Sequence, residues 1–354
     1  MKLWVYVVRR LILLIPTLIG LTFIVFGLLH AGGTTEFIKD YLNPRLTGPA
    51  RQAAINDLIV RFHLNEPLFV QYFYWIRAVL GGDLGYTAVQ GGVPVSTALT
   101  WFLPNTLVLT VFASALTWIL AIPIGVFSAV RRDSVIDQGV RVATFTLYSM
   151  PIFLIGYGLL VLFGVTWRVL PIEGMLNEQL YTDLPSSWFD HSFAVSSPTH
   201  ILMFDAFIHG YWGVAWDAFL HVVAPTLTLT LALLAGIVRI LRASMLEVLD
   251  QDYIRLARAK GAPERVVNNL HARRNALLPT VTTFGYLVAS LLGGAVVVED
   301  IFTFKGIGWW TTQALLMTDV GGIMGTTLIF GLVLVLANLA VDILYGLLDP
   351  RIRY

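Results

Sequence analysis

Uncharged apolar stretches alternate with polar segments along this chain six times, at roughly 11–30, 104–130, 142–167, 220–238, 279–298 and 322–345. A bilayer's hydrocarbon core is about 30 Å thick, and a helix rises about 1.5 Å per residue. Each stretch is therefore long enough to cross, and the pattern predicts an all-α integral membrane protein with six transmembrane helices. Pro16, Pro123, Pro151 and Pro225 fall inside these stretches. They are expected to kink or start helices, because neighbouring groups in a bundle re-satisfy the freed carbonyls.

The first run, from Leu11 to Leu29, follows Met1-Lys2 and Arg9-Arg10. A secretory signal has a shorter apolar core and a small-x-small cleavage site. Leu29-His30-Ala31 lacks that pattern, so the run reads as a retained transmembrane helix.

The positions of lysine and arginine orient the spans. With the N-terminus inside, the inner segments hold Lys2, Arg9, Arg10, Arg131, Arg132, Arg141, Arg239, Arg242, Arg255, Arg258, Lys260, Arg265, Arg273, Arg274, Arg351 and Arg353. That is 16 of the 23 basic residues, while the outer segments carry 14 of the 22 acidic ones. The positive-inside rule then predicts both termini in the cytoplasm. Residues 31–103 and 168–219 become extracytoplasmic segments, and residues 239–278 become a basic cytoplasmic loop. The whole of 1–354 reads as one transmembrane domain.

Composition agrees with a lipid environment. The chain is 57% hydrophobic and 13% charged, whereas soluble domains carry about 25% charged residues. A formal net charge of +1 suggests no nucleic-acid partner. With no cysteine, neither a disulfide nor a thiolate metal site is possible.

The energy source is also constrained. An ion-coupled carrier needs ionisable groups near the bilayer midplane. Asp342 is the one acidic residue within the six stretches, and it lies near a helix end, where it is expected to face a partner or water. A Walker A loop needs glycine before lysine. The four lysines, Lys2, Lys39, Lys260 and Lys305, each follow another residue type. No Gly-x-Ser-x-Gly nucleophile motif occurs. The chain is therefore expected to be no enzyme, to carry no cofactor, and to draw on another polypeptide if its transport is active.

The cytoplasmic loop offers an attachment point. Leu249, Tyr253, Leu256 and Ala257 recur at helical spacing, opposite Asp252, Arg255 and Arg258. Gly261 suits a helix C′ position, Pro263 the first turn of a second helix, and Glu264 its positive end. Two readings fit this helix–turn–helix: a hairpin lying on anionic lipid, or a docking element for a cytoplasmic partner.

Asp252-Tyr253, Ala257-Arg258-Ala259-Lys260-Gly261 and Arg274-Asn275-Ala276-Leu277-Leu278-Pro279 together resemble the EAA loop of ATP-binding-cassette (ABC) importer permeases. The resemblance is to the oligopeptide/dipeptide/nickel group, first-permease type. It extends to Arg9-Arg10 with Leu14-Ile15-Pro16-Thr17, to Gly82-Asp83-Leu84-Gly85-Tyr86, to Gly293-Gly294-Ala295-Val296-Val297-Val298-Glu299, and to Asp342 with Leu348-Asp349-Pro350-Arg351. It implies a cytoplasmic coupling helix that docks on an ATP-hydrolysing subunit through Asp252, Tyr253, Ala257, Lys260 and Gly261. It also implies a second, homologous permease subunit, one or two ATP-binding subunits and an external solute-binding protein that selects the cargo. Asp252 to Ala257 depart from a literal Glu-Ala-Ala, as is ordinary for this group. Peptides are the expected cargo, with oligosaccharides or nickel as alternatives, and no residue is assigned to substrate binding.

The outer segment 168–219 is longer than this group's usual connection. It carries Trp188, Phe189, Phe193, Tyr211, Trp212 and Trp216 with Asp183, Asp190, Asp205 and Asp217. Its aromatics suit an interfacial helix, a contact surface for the binding protein, or stacking faces for a sugar. His191, His200, His209 and His221 show no metal-ligand spacing.

Overall fold

The structure is a computed structural model and describes residues 3–31, 33–43, 45–89, 91–188 and 197–348. The readings made on Phe189, Asp190, His191, Phe193 and the tail Asp349-Pro350-Arg351-Ile352-Arg353-Tyr354 lie outside the described residues.

Helices dominate. In chain order they are α1 (Leu3–Ala31), α2 (Thr34–Tyr41), α3 (Gly48–Arg61), α4 (Leu68–Leu80), α5 (Val95–Val130), α6 (Val135–Ser149), α7 (Ile152–Leu159), α8 (Leu202–Ile208), α9 (Trp212–Leu249), α10 (Asp252–Ala259), α11 (Glu264–Val266), α12 (Arg273–Gly294), α13 (Val296–Ile301), α14 (Ile307–Leu316) and α15 (Val320–Leu348). A two-residue antiparallel pair, β1 (Tyr86–Thr87) with β2 (Val93–Pro94), interrupts the helical pattern before α5.

Among the described residues four helices are long and apolar enough to cross a membrane, or five if one bent pair counts as a single span. They are α1, α5, α9 and α15, with α6 and α7 as the pair. The chain is thus an all-α, multi-pass membrane protein. Several bounds differ from expectation. α5 and α9 run to 36 and 38 residues, and 38 residues is about 57 Å of helix, well beyond a bilayer core. Their polar ends do not stop the helix, because charge ends membrane burial and not the backbone ladder. The expected span 279–298 falls on α12 and α13. α12 opens with Arg273, Arg274 and Asn275 and is not one of the four.

The expected span 142–167 is not one straight helix. Its two halves meet at 105°, and the break falls at Met150-Pro151. Met150 is extended, with φ −82° and ψ 131°, as the ring of a following proline demands. Beyond α7 the helix continues as a π-helical stretch, Leu160–Thr166.

α5 packs along α9, α12 lies against α15 and α9, and α1 lies against α15. The outward face of α1, including Ile12, Ile15, Phe23 and Ile24, is exposed. In a membrane chain lipid is the solvent for such a face.

The segment 31–103 packs its own core. Phe37, Tyr41, Phe62 and Trp75 close over Val25 and Phe26 of α1. Gly82-Asp83-Leu84-Gly85 forms the expected turn. Asp83 accepts the Gly85 N–H at 3.2 Å and pairs with Arg61 at 2.6 Å. A Cβ on Gly85 would come within 2.7 Å of the Asp40 carbonyl oxygen, so this turn requires glycine for space as well as for its φ of +81°.

Segment 168–219 separates its aromatics into two roles. Trp188 is buried with Leu176, Leu184, Leu202 and Ala206, and its ring meets Tyr211 edge-on at 5.7 Å. Phe207, Trp212 and Trp216 are exposed. His209 and His221 hydrogen-bond the carbonyls of Asp205 and Asp217 one turn back, at 2.8 Å each.

Candidate functional site

The expected loop 239–278 is mostly continuous with its flanking helices. α9 runs on to Leu249 and α12 begins at Arg273. The remainder is α10, a turn, α11 and a π-helical stretch, Val267–Ala272, that leads directly into α12. Pro263 is the N-cap residue of α11, one place earlier than the expected first turn.

α10 is an eight-residue helix. Isolated helices shorter than about 12–15 residues are marginal in water, so tertiary contacts must hold it. Asp252 sits in its first turn, where a negative charge meets the helix's partial positive end. Ile254 is completely buried. It enters a cradle built from Ala129 of α5, Leu241 and Met245 of α9, Val267 and Ala272 of the π-helical stretch, and Ala276 in the first turn of α12. Leu249 and Ala257 pack against the same cradle.

The expected apolar face is thereby divided. Leu249 and Ala257 face the protein, whereas Tyr253 and Leu256 are exposed, at 41% and 55%. The Tyr253 hydroxyl accepts a hydrogen bond from Asn275 Nδ2 at 2.8 Å, which fixes α10 against the start of α12. Ile254 is the anchor that periodicity missed. Asp252, Lys260 and Gly261 are exposed as well, so four of the five expected docking residues line the outer side and Ala257 lies half-buried beneath them.

The C-terminus of α10 is a complete Schellman motif. The Gly261 N–H donates to the Arg258 carbonyl at 2.9 Å, and the Ala262 N–H donates to the Ala257 carbonyl at 3.2 Å. Gly261 takes φ +80°, the left-handed conformation this cap requires. No atom lies within 4 Å of where its Cβ would stand, so the demand for glycine is conformational. Arg258 closes the turn, donating to Glu264 Oε1 at 2.8 Å.

A second arrangement joins the ends of the long helices. Asp137, in the first turn of α6, is fully buried. It accepts from Arg242 Nε at 2.7 Å and from the Arg242 terminal nitrogen at 2.8 Å. It also accepts from the Ser128 hydroxyl at 2.5 Å and the Asp133 N–H at 3.0 Å. One carboxylate thus fastens the end of α5, the turn after it, the start of α6 and the lower part of α9. Three residues past Arg242, Met245 enters the Ile254 cradle. The clamp and the α10 anchor therefore share one rigid helix. Ser134-x-x-Asp137 carries the signal of a helix start, and Ser134 Oγ does accept the Asp137 N–H at 3.2 Å. Nothing local shows that the Asp137 carboxylate is turned to Arg242, 105 residues away.

A family model described as binding-protein-dependent transport system inner membrane component matches residues 121–354, from within α5 through the tail. The chain belongs to this family. As an inner membrane component it has relatives along its full length. It is similar to the dipeptide transport system permease protein DppB of Escherichia coli (strain K12), 38% identical over 351 residues that cover 99% of this chain and 98% of that protein. It is similar to the oligopeptide transport system permease protein AppB of Bacillus subtilis (strain 168), 36% identical, covering 99% of both. The di/tripeptide transport system permease protein DppB of Pseudomonas aeruginosa (strain UCBPP-PA14) is 36% identical over 352 residues, 99% of this chain and 98% of that one.

Toward the opposite end of α5 from Ser128, two buried carboxylates organise the stretch from α13 to α15. Glu299 accepts from the Thr106 hydroxyl of α5 at 2.7 Å and from the Trp309 N–H at 3.0 Å. Thr106 in turn accepts the Ile307 N–H at 2.8 Å. Asp319 accepts from the Thr87 hydroxyl, the Ala88 N–H at 2.9 Å and the Gly322 N–H at 3.2 Å. The β1–β2 turn is thereby tied to the start of α15. Asp342, expected to meet a partner or water, accepts from the Tyr286 hydroxyl of α12 at 3.3 Å.

Proposed function

We propose that this chain is the permease subunit of an ATP-driven ABC importer for peptides, with ATP hydrolysed by separate cytoplasmic subunits. One observation carries the reading: α10 is anchored on one face by the fully buried Ile254 while Tyr253 and Leu256 stay exposed on another. A short helix rigidly seated on its own protein, with apolar and basic groups turned outward, is suited to enter a groove and transmit force. Docking is assigned to Asp252, Tyr253, Ala257, Lys260 and Gly261, with Leu256 added from its exposure. The names of relatives that share nearly the full length favour peptides over oligosaccharides or nickel.

In this reading residues 1–354 form one transmembrane domain of six crossings, with α12 as the fifth and both termini cytoplasmic. Residues 31–103 and 168–219 lie outside, where a solute-binding protein delivers cargo. The cytoplasmic coupling region comprises residues 239–278, with α10 as the coupling helix. A second, similar permease completes the path, because six helices seldom enclose a peptide-sized channel, and one or two ATPases close beneath the pair.

The test is uptake of a labelled dipeptide into proteoliposomes holding the chain, a second permease, the ATPases and the binding protein. Uptake is expected to need ATP and to stop when the ATPases are left out. Dipeptide uptake by the lone chain without ATP would overturn the reading.

A further inference from the structure

A groove of about 240 Å³ opens between α6 and α9 beside the Asp137 clamp. Arg141, Arg239 and Arg242 line it together with Val140, Phe145 and Val238. The charges do not cancel. Arg242 is committed to Asp137 through two hydrogen bonds. Arg141 only approaches the same carboxylate, at 3.7 Å. Arg239 lies over the Tyr148 ring at 4.3 Å, and no carboxylate pairs with it among the described ion pairs. Two guanidinium groups therefore share one carboxylate, and the third adds a positive charge beside them.

The position of the groove identifies its occupant. Arg141 immediately precedes the apolar stretch 142–167, and Arg239 immediately follows the stretch 220–238. If these stretches cross the bilayer, both arginines fall near the level where headgroups meet hydrocarbon. From there the groove's wall passes into the exposed apolar side of α6, where Val142 is 67% and Phe145 73% exposed. A ligand suited to this lining offers an anionic group to the arginines and an apolar part to Val142 and Phe145. Basic pockets between transmembrane helices bind anionic lipid headgroups for this reason.

We infer that this groove binds one anionic phospholipid, its phosphate held by Arg141 and Arg239 and an acyl chain laid along Phe145. The bound lipid would brace α6 against α9 next to the Asp137–Arg242 bridge. The inference is independent of which side of the membrane this end occupies and of what the protein transports.

The experiment uses the full chain purified with its partner subunits and stripped of lipid in a neutral detergent. Native mass spectrometry then measures retention of phosphatidylglycerol and of phosphatidylcholine with the same acyl chains. Wild type is expected to retain phosphatidylglycerol in preference. A basic residue near a membrane surface contributes about 1 kcal/mol toward an anionic lipid, and 1.4 kcal/mol is tenfold. Arg141→Gln with Arg239→Gln should therefore weaken retention by about 30-fold. Arg141→Lys with Arg239→Lys keeps both charges and should retain most of the preference, which separates lost charge from a misfolded chain. Raising the salt should weaken phosphatidylglycerol retention in wild type and not in the Gln pair. Equal retention of the two lipids by wild type would overturn the proposal. So would a preference that survives both Gln substitutions, or displacement of the lipid by inorganic phosphate alone. Burial of Phe145 against the second permease in the assembled complex, read by site-specific crosslinking, would reassign the groove to a protein contact and overturn it as well.

Discussion

Replacing Gly261 with valine places a β-branched side chain where the backbone holds φ +80°. A left-handed conformation costs an L-residue roughly 1–2 kcal/mol. Steric collision adds nothing, since the space around the Cβ position is open to 4 Å. If the chain escapes the strain by leaving that conformation, it gives up the hydrogen bonds from the Gly261 and Ala262 N–H groups, worth about 0.5–1.5 kcal/mol each. Both routes destabilise the cap by about 1–3 kcal/mol, which lowers the population of a properly ended α10 by roughly 5- to 150-fold. The membrane core is held by the packing of α5, α9, α12 and α15 and does not depend on this turn. Gly261→Val is therefore expected to stay inserted and abundant, to bind the ATPase subunits more weakly, and to lose substrate stimulation of ATP hydrolysis. Gly261→Asn should remain close to wild type, because asparagine visits the left-handed region readily. The assay is substrate-stimulated ATPase activity of the reconstituted complex at matched expression. Assembly and stimulation at wild-type levels in Gly261→Val would refute the coupling role of this cap.

Ile254→Ala empties the cradle beneath α10, and truncations of this kind cost about 2–5 kcal/mol in cores. Amide exchange over residues 252–260 should quicken in Ile254→Ala and stay unchanged in Leu256→Ala, with equal protection in the two variants counting against the anchor. Arg242→Gln leaves buried Asp137 with only the more distant Arg141 as counter-charge, a loss of at most about 3–5 kcal/mol, so Tm of the purified chain should fall. Adding Asp137→Asn should restore part of the loss, and no recovery would show that the ion pair is not the source. The natural sequence has no cysteine, so Asn269→Cys is a unique label site. A membrane-impermeant thiol reagent should reach it from the cytoplasmic side alone, and reaction in intact cells would reverse the topology.

The long apolar runs that became α1, α5, α9 and α15 were legible because burial in lipid demands about 20 apolar residues in succession, and a run is a local property. Gly261 was legible for a similar reason, since a left-handed cap followed by proline is written within a few residues. Periodicity also predicted a helix ahead of Gly261, yet it grouped Tyr253 and Leu256 on one apolar face with Ala257 and with Leu249, which ends α9. Tertiary structure chose Ile254 instead, because the cradle is assembled from α5, α9 and the start of α12, segments whose meeting no local pattern records. Pro151 announced a break, but the 105° turn reflects how α7 packs on α9 and α13. The separation of Trp188 from Trp212 and Trp216 had the same origin, since all are aromatic and only packing against Leu176, Leu184, Leu202 and Ala206 decides which is enclosed. The clearest case is Asp137. In sequence it is one acidic residue beside a basic turn, and it becomes the fastening of three helices only when Arg242 arrives from 105 residues away. Charge pairing across such a distance is set by which helices pack together, and that is decided by the sum of many weak apolar contacts rather than by any motif.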